Sequence, residues 1–404
     1  MISSIIFYCF NKKNRFVFFD FIKTHVGNKK YILLNTMFIL LSTFKIHGIE
    51  EDLMKHIAEQ LQESVYEAAR NGNDEWYKNN DSVTLILACK DGNKEIVQLL
   101  IKAGVDINKK VRYASFESTA LIEACKNGHE EIVRLLIEAG ADLDIKENEG
   151  FTALMLASEN GHEDVVRLLI EAGADLDIKE NEGFTALMLA SENGHEDVVR
   201  LLIEAGADLN EKDIVMGFTA LMLASQNGHE EVVKQLIEVG ADLNLQTKNG
   251  FTSLLIATQN GHGDVVKQLI KAGADLNLQT KNGATPLYIA SYQGHGDVVK
   301  QLIKVGADLN LQTINGFTHL YIASYQGHSE VVKQLIEAGA DLNEKNCNGC
   351  TALMIASRKG HGDVVRQLIK AGADLNEKNC NGCTALMIAS QNGHEEVVKL
   401  IKET

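Results

Sequence analysis

Proline occurs once in the chain, at Pro286, which excludes Pro-rich linkers and collagen-like segments. Seven cysteines in 404 residues are too few for a disulfide-stapled secreted fold. No apolar run reaches 18 residues, so the sequence contains no unambiguous membrane span. Positive charge is also short: 39 Lys+Arg face 55 Asp+Glu, and the net charge of −16 argues against nucleic acid as the main partner. Outside its repeating pattern the chain has no Ser/His/Asp set, phosphate-binding glycine loop or paired-carboxylate constellation, so no catalysis, cofactor or small-molecule substrate is expected. What is present is a globular composition, 45% hydrophobic and 23% charged.

The charge is uneven. Residues 1–50 hold seven basic residues against Asp20 and Glu50, and ten of the 24 aromatics. Within them Tyr31–Phe44 (YILLNTMFILLSTF) follows Lys29-Lys30 and has the length of a signal-peptide apolar core. At 14 residues it is short for a bilayer, and no Ala-x-Ala site follows. Three readings stand: a disordered leader or misassigned start, for which Met54 is a candidate true start; a targeting or export segment; or a membrane-associated segment.

The rest of the chain repeats. The block Ala141–Gly173 recurs letter for letter at Ala174–Gly206. Threonines mark the period at Thr119, Thr152, Thr185, Thr219, Thr252, Thr285, Thr318, Thr351 and Thr384, always 33 residues apart except for 34 between Thr185 and Thr219. Gly-His pairs from Gly128-His129 to Gly393-His394 keep the same period. An earlier copy begins near Ser82 and joins the next through three extra residues, which makes ten copies. A fixed period of this length signals a stack of supersecondary units.

Each copy reads as helix, turn, helix, extended finger. Thr152 suits an N-cap, and Leu154, Leu156 and Ala157 place an apolar stripe on a short helix that Asn160-Gly161 stops. Val165, Val166, Leu168, Leu169 and Ile170 predict a second helix that is apolar over most of its circumference. Gly173 suits its left-handed C-cap, and Asp175 to Gly183 is polar enough for an exposed turn. Helices of roughly ten residues are marginal alone in water, so the apolar faces must be buried by neighbouring copies.

The 33-residue period, the Thr-x-Leu-x-x-Ala core and the Gly-His-x-x-Val-Val-x-x-Leu-Ile-x-x-Gly-Ala-Asp string resemble the ankyrin repeats over about residues 81–404. The resemblance implies an all-α solenoid of about ten helix-turn-helix units with hairpin or turn fingers. The family's Thr-Pro-Leu-His is Thr-Ala-Leu-Met in most copies, and only Thr285-Pro286-Leu287-Tyr288 keeps the proline. Residues 51–80, with Leu53, Ile57, Leu61, Val65 and Ala68 at helical spacing, read as a degenerate N-terminal capping helix or partial repeat. The last copy is shortened, ending at Lys402-Glu403-Thr404.

Nine repeat histidines form the largest ionisable column, but one per stacked helix is too widely spaced to converge on a metal ion. They read as turn residues bonding between neighbouring copies. Cys347-Asn348-Gly349-Cys350 and Cys380-Asn381-Gly382-Cys383 have the form of zinc or redox pairs. Their Asn-Gly centres and near-identical surroundings fit a duplicated turn instead, and no metal site is expected.

The resemblance further implies protein binding along a concave side made of finger tips and exposed first-helix positions. The most variable column there runs Glu159, Glu192, Gln226, Gln259, Tyr292, Tyr325, Arg358, Gln391. Its early part, with Glu149 and Glu182, is acidic. Its later part places Tyr288/Tyr292 and Tyr321/Tyr325 one helical turn apart. Tyrosine and arginine are enriched at energetic hot spots. The expected partner-binding residues are therefore Tyr292, Tyr325, Arg358, Tyr288, Tyr321, Glu159 and Glu192. The expected function is a non-enzymatic, cytoplasmic scaffold for a basic or amphipathic protein partner. The alternative is an exported or membrane-associated effector directed by residues 1–50.

Overall fold

A computed structural model of the protein describes residues 74–113 and 116–404. The leader expected over 1–50, and the capping segment up to residue 73, lie outside the described residues. Contacts divide the chain into two units, residues 1–106 and 107–404.

In the first unit, α1 (Asp74–Lys90) runs unbroken through the position where the sequence places the start of the first copy. It is followed by α2 (Lys94–Lys102), which buries Val97 and Leu100.

The second unit opens with a hairpin where the three extra residues fall. Strands β1 (Val111–Tyr113) and β2 (Phe116–Ser118) pair antiparallel, with Val111 opposite Ser118. Nine helix pairs follow. The first are α3 (Ala120–Lys126) with α4 (Glu130–Glu138), α5 (Ala153–Glu159) with α6 (Glu163–Glu171), and α7 (Ala186–Asn193) with α8 (Glu196–Glu204). Next come α9 (Ala220–Asn227) with α10 (Glu230–Glu238), α11 (Ser253–Asn260) with α12 (Gly263–Lys271), and α13 (Pro286–Gln293) with α14 (Gly296–Lys304). The last are α15 (His319–Gln326) with α16 (Ser329–Glu337), α17 (Ala352–Lys359) with α18 (Gly362–Lys370), and α19 (Ala385–Gln391) with α20 (Glu395–Lys402). First helices pack on first helices and second on second, the all-α solenoid the periodicity requires.

Every first helix starts alike. Thr152 and its counterparts take extended backbone, and the hydroxyl accepts the backbone N–H three residues on, as Met155 N to Thr152 Oγ1 at 3.3 Å. The helix ends where Gly161 enters left-handed backbone and His162 N donates back to Ala157 O. The second helix ends the same way, with Gly173 at φ +90° and Ala174 N donating to Leu169 O. That second helix buries less than its composition suggests. Val165, Val166 and Leu169 are interior, whereas Leu168 and Ile170 are only half-buried.

The core is a stack of equivalent side chains: Leu154, Leu187, Leu221 and Leu254 from first helices, Val166, Val199, Val233 and Val266 from second helices, all at 1% exposure or less. Two polar ladders hold neighbouring units in register. At the finger base, Asp175 N donates to Asp144 Oδ1 and Asp208 N to Asp177 Oδ1, and the pattern continues to Asp374 N on Asn343 Oδ1. At the fingertips, Asn181 N donates to Glu149 O, Lys281 N to Asn249 O and Cys380 N to Asn348 O.

Candidate partner-binding surface

The histidine column is a joint between units. His162 Nε2 lies 3.1 Å from Lys126 O, His195 Nε2 2.8 Å from Glu159 O, His328 Nε2 3.0 Å from Tyr292 O and His394 Nε2 2.9 Å from Arg358 O. A carbonyl only accepts, so Nε2 carries the proton. The ring also covers the preceding unit's glycine: a Cβ added at Gly194 would sit 2.5 Å from His229 Nδ1. The Gly-His doublet of the sequence thus encodes a contact between successive copies. His295 is the exception, its Nε2 buried without a hydrogen-bond partner.

This joint explains the variable column. Glu159, Glu192, Gln226, Tyr292, Tyr325 and Arg358 each give their backbone carbonyl to the histidine of the following unit. The main chain is fixed, while the side chain is left to vary without disturbing the stack.

Glu159 and Glu192 are half-buried on consecutive units. Burial raises the Glu192 carboxyl above the usual range, and the charge of Glu159 adds to it. On the fingers, Glu149 and Glu182 are exposed. By contrast, Glu147 and Glu180 turn inward to accept finger backbone N–H groups, Glu180 from both Glu182 N and Phe184 N at 2.8 Å.

The four tyrosines separate into two kinds. Tyr292 and Tyr325 are 43% and 36% exposed. Lys359 places its ammonium 4.3 Å from the Tyr325 ring centroid, a cation–π contact that spacing within one copy could not foresee. Tyr321 is only 6% exposed and stacks on Phe317 at 4.9 Å between centroids. Tyr288 is half-buried and meets His319 edge-on at 6.4 Å. Burial pushes both the Tyr288 and Tyr321 hydroxyls up to about 12. Arg358 is exposed, with Nη2 3.9 Å from Cys350 Sγ.

Of the cysteine pairs, Cys347 and Cys380 are exposed at fingertips and Cys350 is buried. Among the described residues no three His, Cys, Asp or Glu side chains gather around a common point. No helix among them is long and apolar enough to cross a membrane.

One feature of this surface escaped the sequence reading. The finger with the extra residue carries Ile214, Val215 and Met216 at 59%, 47% and 50% exposure. Beside it lies an open groove of about 440 Å³ with a mixed lining, apolar at Met216, Phe218, Phe251 and Ile256 and otherwise polar and uncharged, as at Gln226 and Gln259. The available signal was the 34-residue interval ending at Thr219, with Asp-Ile-Val-Met-Gly where the preceding copy has Glu-Asn-Glu-Gly.

Among known proteins, a family model described as ankyrin repeats (3 copies) matches residues 53–147, 85–180, 139–213, 174–247, 211–280, 254–346 and 320–404. No curated protein matches the chain.

Proposed function

Because the chain belongs to the ankyrin-repeat family, whose repeats are generally protein–protein interaction modules, we propose that it is a non-enzymatic scaffold. Its partner is a basic or amphipathic protein lying across the finger tips and first-helix ends. The observation that carries this is the variable column. Six of its eight carbonyls are committed to the histidine joint, and its side chains grade from Glu159 and Glu192 through Tyr292 and Tyr325 to Arg358. The acidic stretch supplies attraction for basic side chains, and the exposed tyrosine rings supply area at low entropic cost. Tyr288 and Tyr321 support the tyrosine stretch from beneath.

The test is affinity capture from the native cell with the full chain and with a Tyr292→Ala/Tyr325→Ala variant. At least one captured protein should fall tenfold or more with the variant. Its binding should also weaken with salt and with Glu159→Gln/Glu192→Gln. A captured set identical for all three proteins would refute the assignment of this face. A second reading, an exported or membrane-tethered effector, is favoured only by the basic, apolar composition of residues 1–50. Fractionation of cells expressing the chain with and without those residues tests it, and identical distributions would remove it.

A further inference from the structure

We propose that the finger at 212–218 and the groove beside it form the anchor site for an apolar side chain of the partner. The partner segment would be basic on one flank of that anchor and acidic on the other. This deepens the partner-binding reading above and rests on it.

The finger is a built feature. Asp213, 4% exposed, points inward, and its Oδ1 accepts from Val215 N at 2.8 Å and Met216 N at 2.7 Å. Its Oδ2 accepts from Phe218 N. Ile214 N donates to Glu182 O, and Lys248 N donates to Met216 O, each at 2.8 Å. A loop bonded within itself and to both neighbouring fingers has little freedom to tuck its side chains away. Yet it presents Ile214, Val215 and Met216 to water, where the adjacent fingers present Asn181-Glu182 and Lys248-Asn249. The inward polar residue is common to the fingers, Glu180 and Thr247 being buried at the equivalent positions; what sets this one apart is that its outward residues are apolar. Contiguous exposed apolar surface with a polar rim marks an interaction site.

The groove suits that role in size and chemistry. About 440 Å³ accommodates a leucine-, phenylalanine- or tryptophan-sized side chain. Its apolar lining is Met216, Phe218, Phe251 and Ile256, and its six other lining residues, Gln226 and Gln259 among them, are polar and uncharged. Charge begins on either side of it and has opposite signs. The preceding units carry Glu182 at the fingertip and Glu192 at the helix end, and the following fingertips carry exposed Lys248 and Lys281. A segment complementary to this order has basic residues towards Glu182 and Glu192, an apolar anchor in the groove, and acidic residues towards Lys248 and Lys281.

The probe is a fluorescein-labelled synthetic peptide, Lys-Lys-Lys-Ser-Leu-Trp-Leu-Ser-Glu-Glu-Glu, titrated against the full chain by fluorescence anisotropy. Saturable binding is expected with Kd below about 1 mM. It should weaken at least tenfold with Ile214→Ser/Met216→Ser, and equally when the peptide's tryptophan is replaced by glycine. Both substituted side chains are exposed, and an unchanged melting temperature verifies that the variant folds. Exchanging the three lysines of the peptide for glutamates should also weaken binding. Absence of binding, or equal binding to the double variant, overturns the anchor site, while Tyr292/Tyr325-dependent capture would leave the wider interaction face standing. If capture is also independent of those tyrosines, both readings fall. Self-association of the chain that the double variant abolishes would instead make the finger a contact between copies, and would overturn a peptide anchor.

Discussion

Thr185 and Thr318 each cap a first helix whose end is turned by a left-handed glycine, Gly194 or Gly327, and the two segments between share one backbone. On that backbone, Ala186, Met188 and Glu192 in one segment stand where His319, Tyr321 and Tyr325 stand in the other. Met188 is 1% exposed and Tyr321 6%, so a change from thioether to phenol leaves the position inside. Ala186 merely fills its place, whereas His319, also buried, ties two units together. Its Nδ1 lies 2.7 Å from Leu309 O and its Nε2 2.8 Å from Thr285 Oγ1. Of these three positions, only Glu192 and Tyr325 carry the difference to solvent. The repeated frame therefore tolerates changed side chains both inside the stack, at Ala186/His319 and Met188/Tyr321, and at its surface, at Glu192/Tyr325.

The largest effects should come from the position that stays inside. Met188→Ala should destabilise the chain by about 2–5 kcal/mol and Tyr321→Ala by about 3–5 kcal/mol, the range for deleting buried side chains of those sizes. Urea denaturation checks this. A loss below about 1 kcal/mol for Tyr321→Ala would return that residue to the surface and break the parallel with Met188. Tyr325→Ala, at the exposed position, should stay within about 0.5 kcal/mol of the parent chain.

His319 gives the two segments different pH responses. Burial lowers its pKa from 6.5 to about 4, against smaller opposing contributions from the Leu309 carbonyl and Asp308. The Leu309 carbonyl can only accept, so Nδ1 holds the proton and bare Nε2 receives the Thr285 hydroxyl, which itself accepts from Tyr288 N at 3.1 Å. Between the two pKa values the unfolded chain binds a proton that the folded chain refuses. Stability from this group is thus complete above pH 6.5 and falls as the pH drops towards 4. The separation is worth roughly 3 kcal/mol. In His319→Ala, which restores the residue found at Ala186, that decline should vanish. The variant's stability deficit should therefore shrink between pH 7 and pH 4. A deficit independent of pH would remove the buried neutral imidazole from the account.

How far the sequence reveals such differences depends on whether a contact lies within a copy or between copies. The Thr caps, the terminal glycines and the Leu/Val core are local signals, legible from one unit. The histidine joint was legible only in outline, because the partner of each ring is a carbonyl 36 or 37 residues earlier. His319 falls outside the Gly-His column and gives no sign in one dimension that it spans Thr285 and Leu309. The exposed tyrosines could be inferred from helix phase, but the lysine over Tyr325 belongs to the next unit. At the 212–218 finger the irregular interval was visible, while the exposure of Ile214, Val215 and Met216 depended on how the longer finger closes around Asp213, the counterpart of Glu180.

The smallest predicted effect concerns a position where the two segments do not differ. Ser191 and Ser324 are fully buried, and their hydroxyls find no hydrogen-bond partner. Ser390, on the exposed side of α19, instead donates to Leu386 O at 2.9 Å, the bond a helical serine makes when it is free to rotate towards its own backbone. A buried, unpaired hydroxyl is a cost without return, and alanine fits a helix interior better than serine. Ser191→Ala and Ser324→Ala should each raise stability by about 0.5–1 kcal/mol and by equal amounts, whereas Ser390→Ala should be neutral or slightly destabilising. Thermal melts of the three variants decide it. A clear loss at Ser191 and Ser324 would mean their hydroxyls are bonded after all. Unequal changes would mean that the Met-to-Tyr exchange three residues earlier reaches the interior and is not confined to the edge of the core.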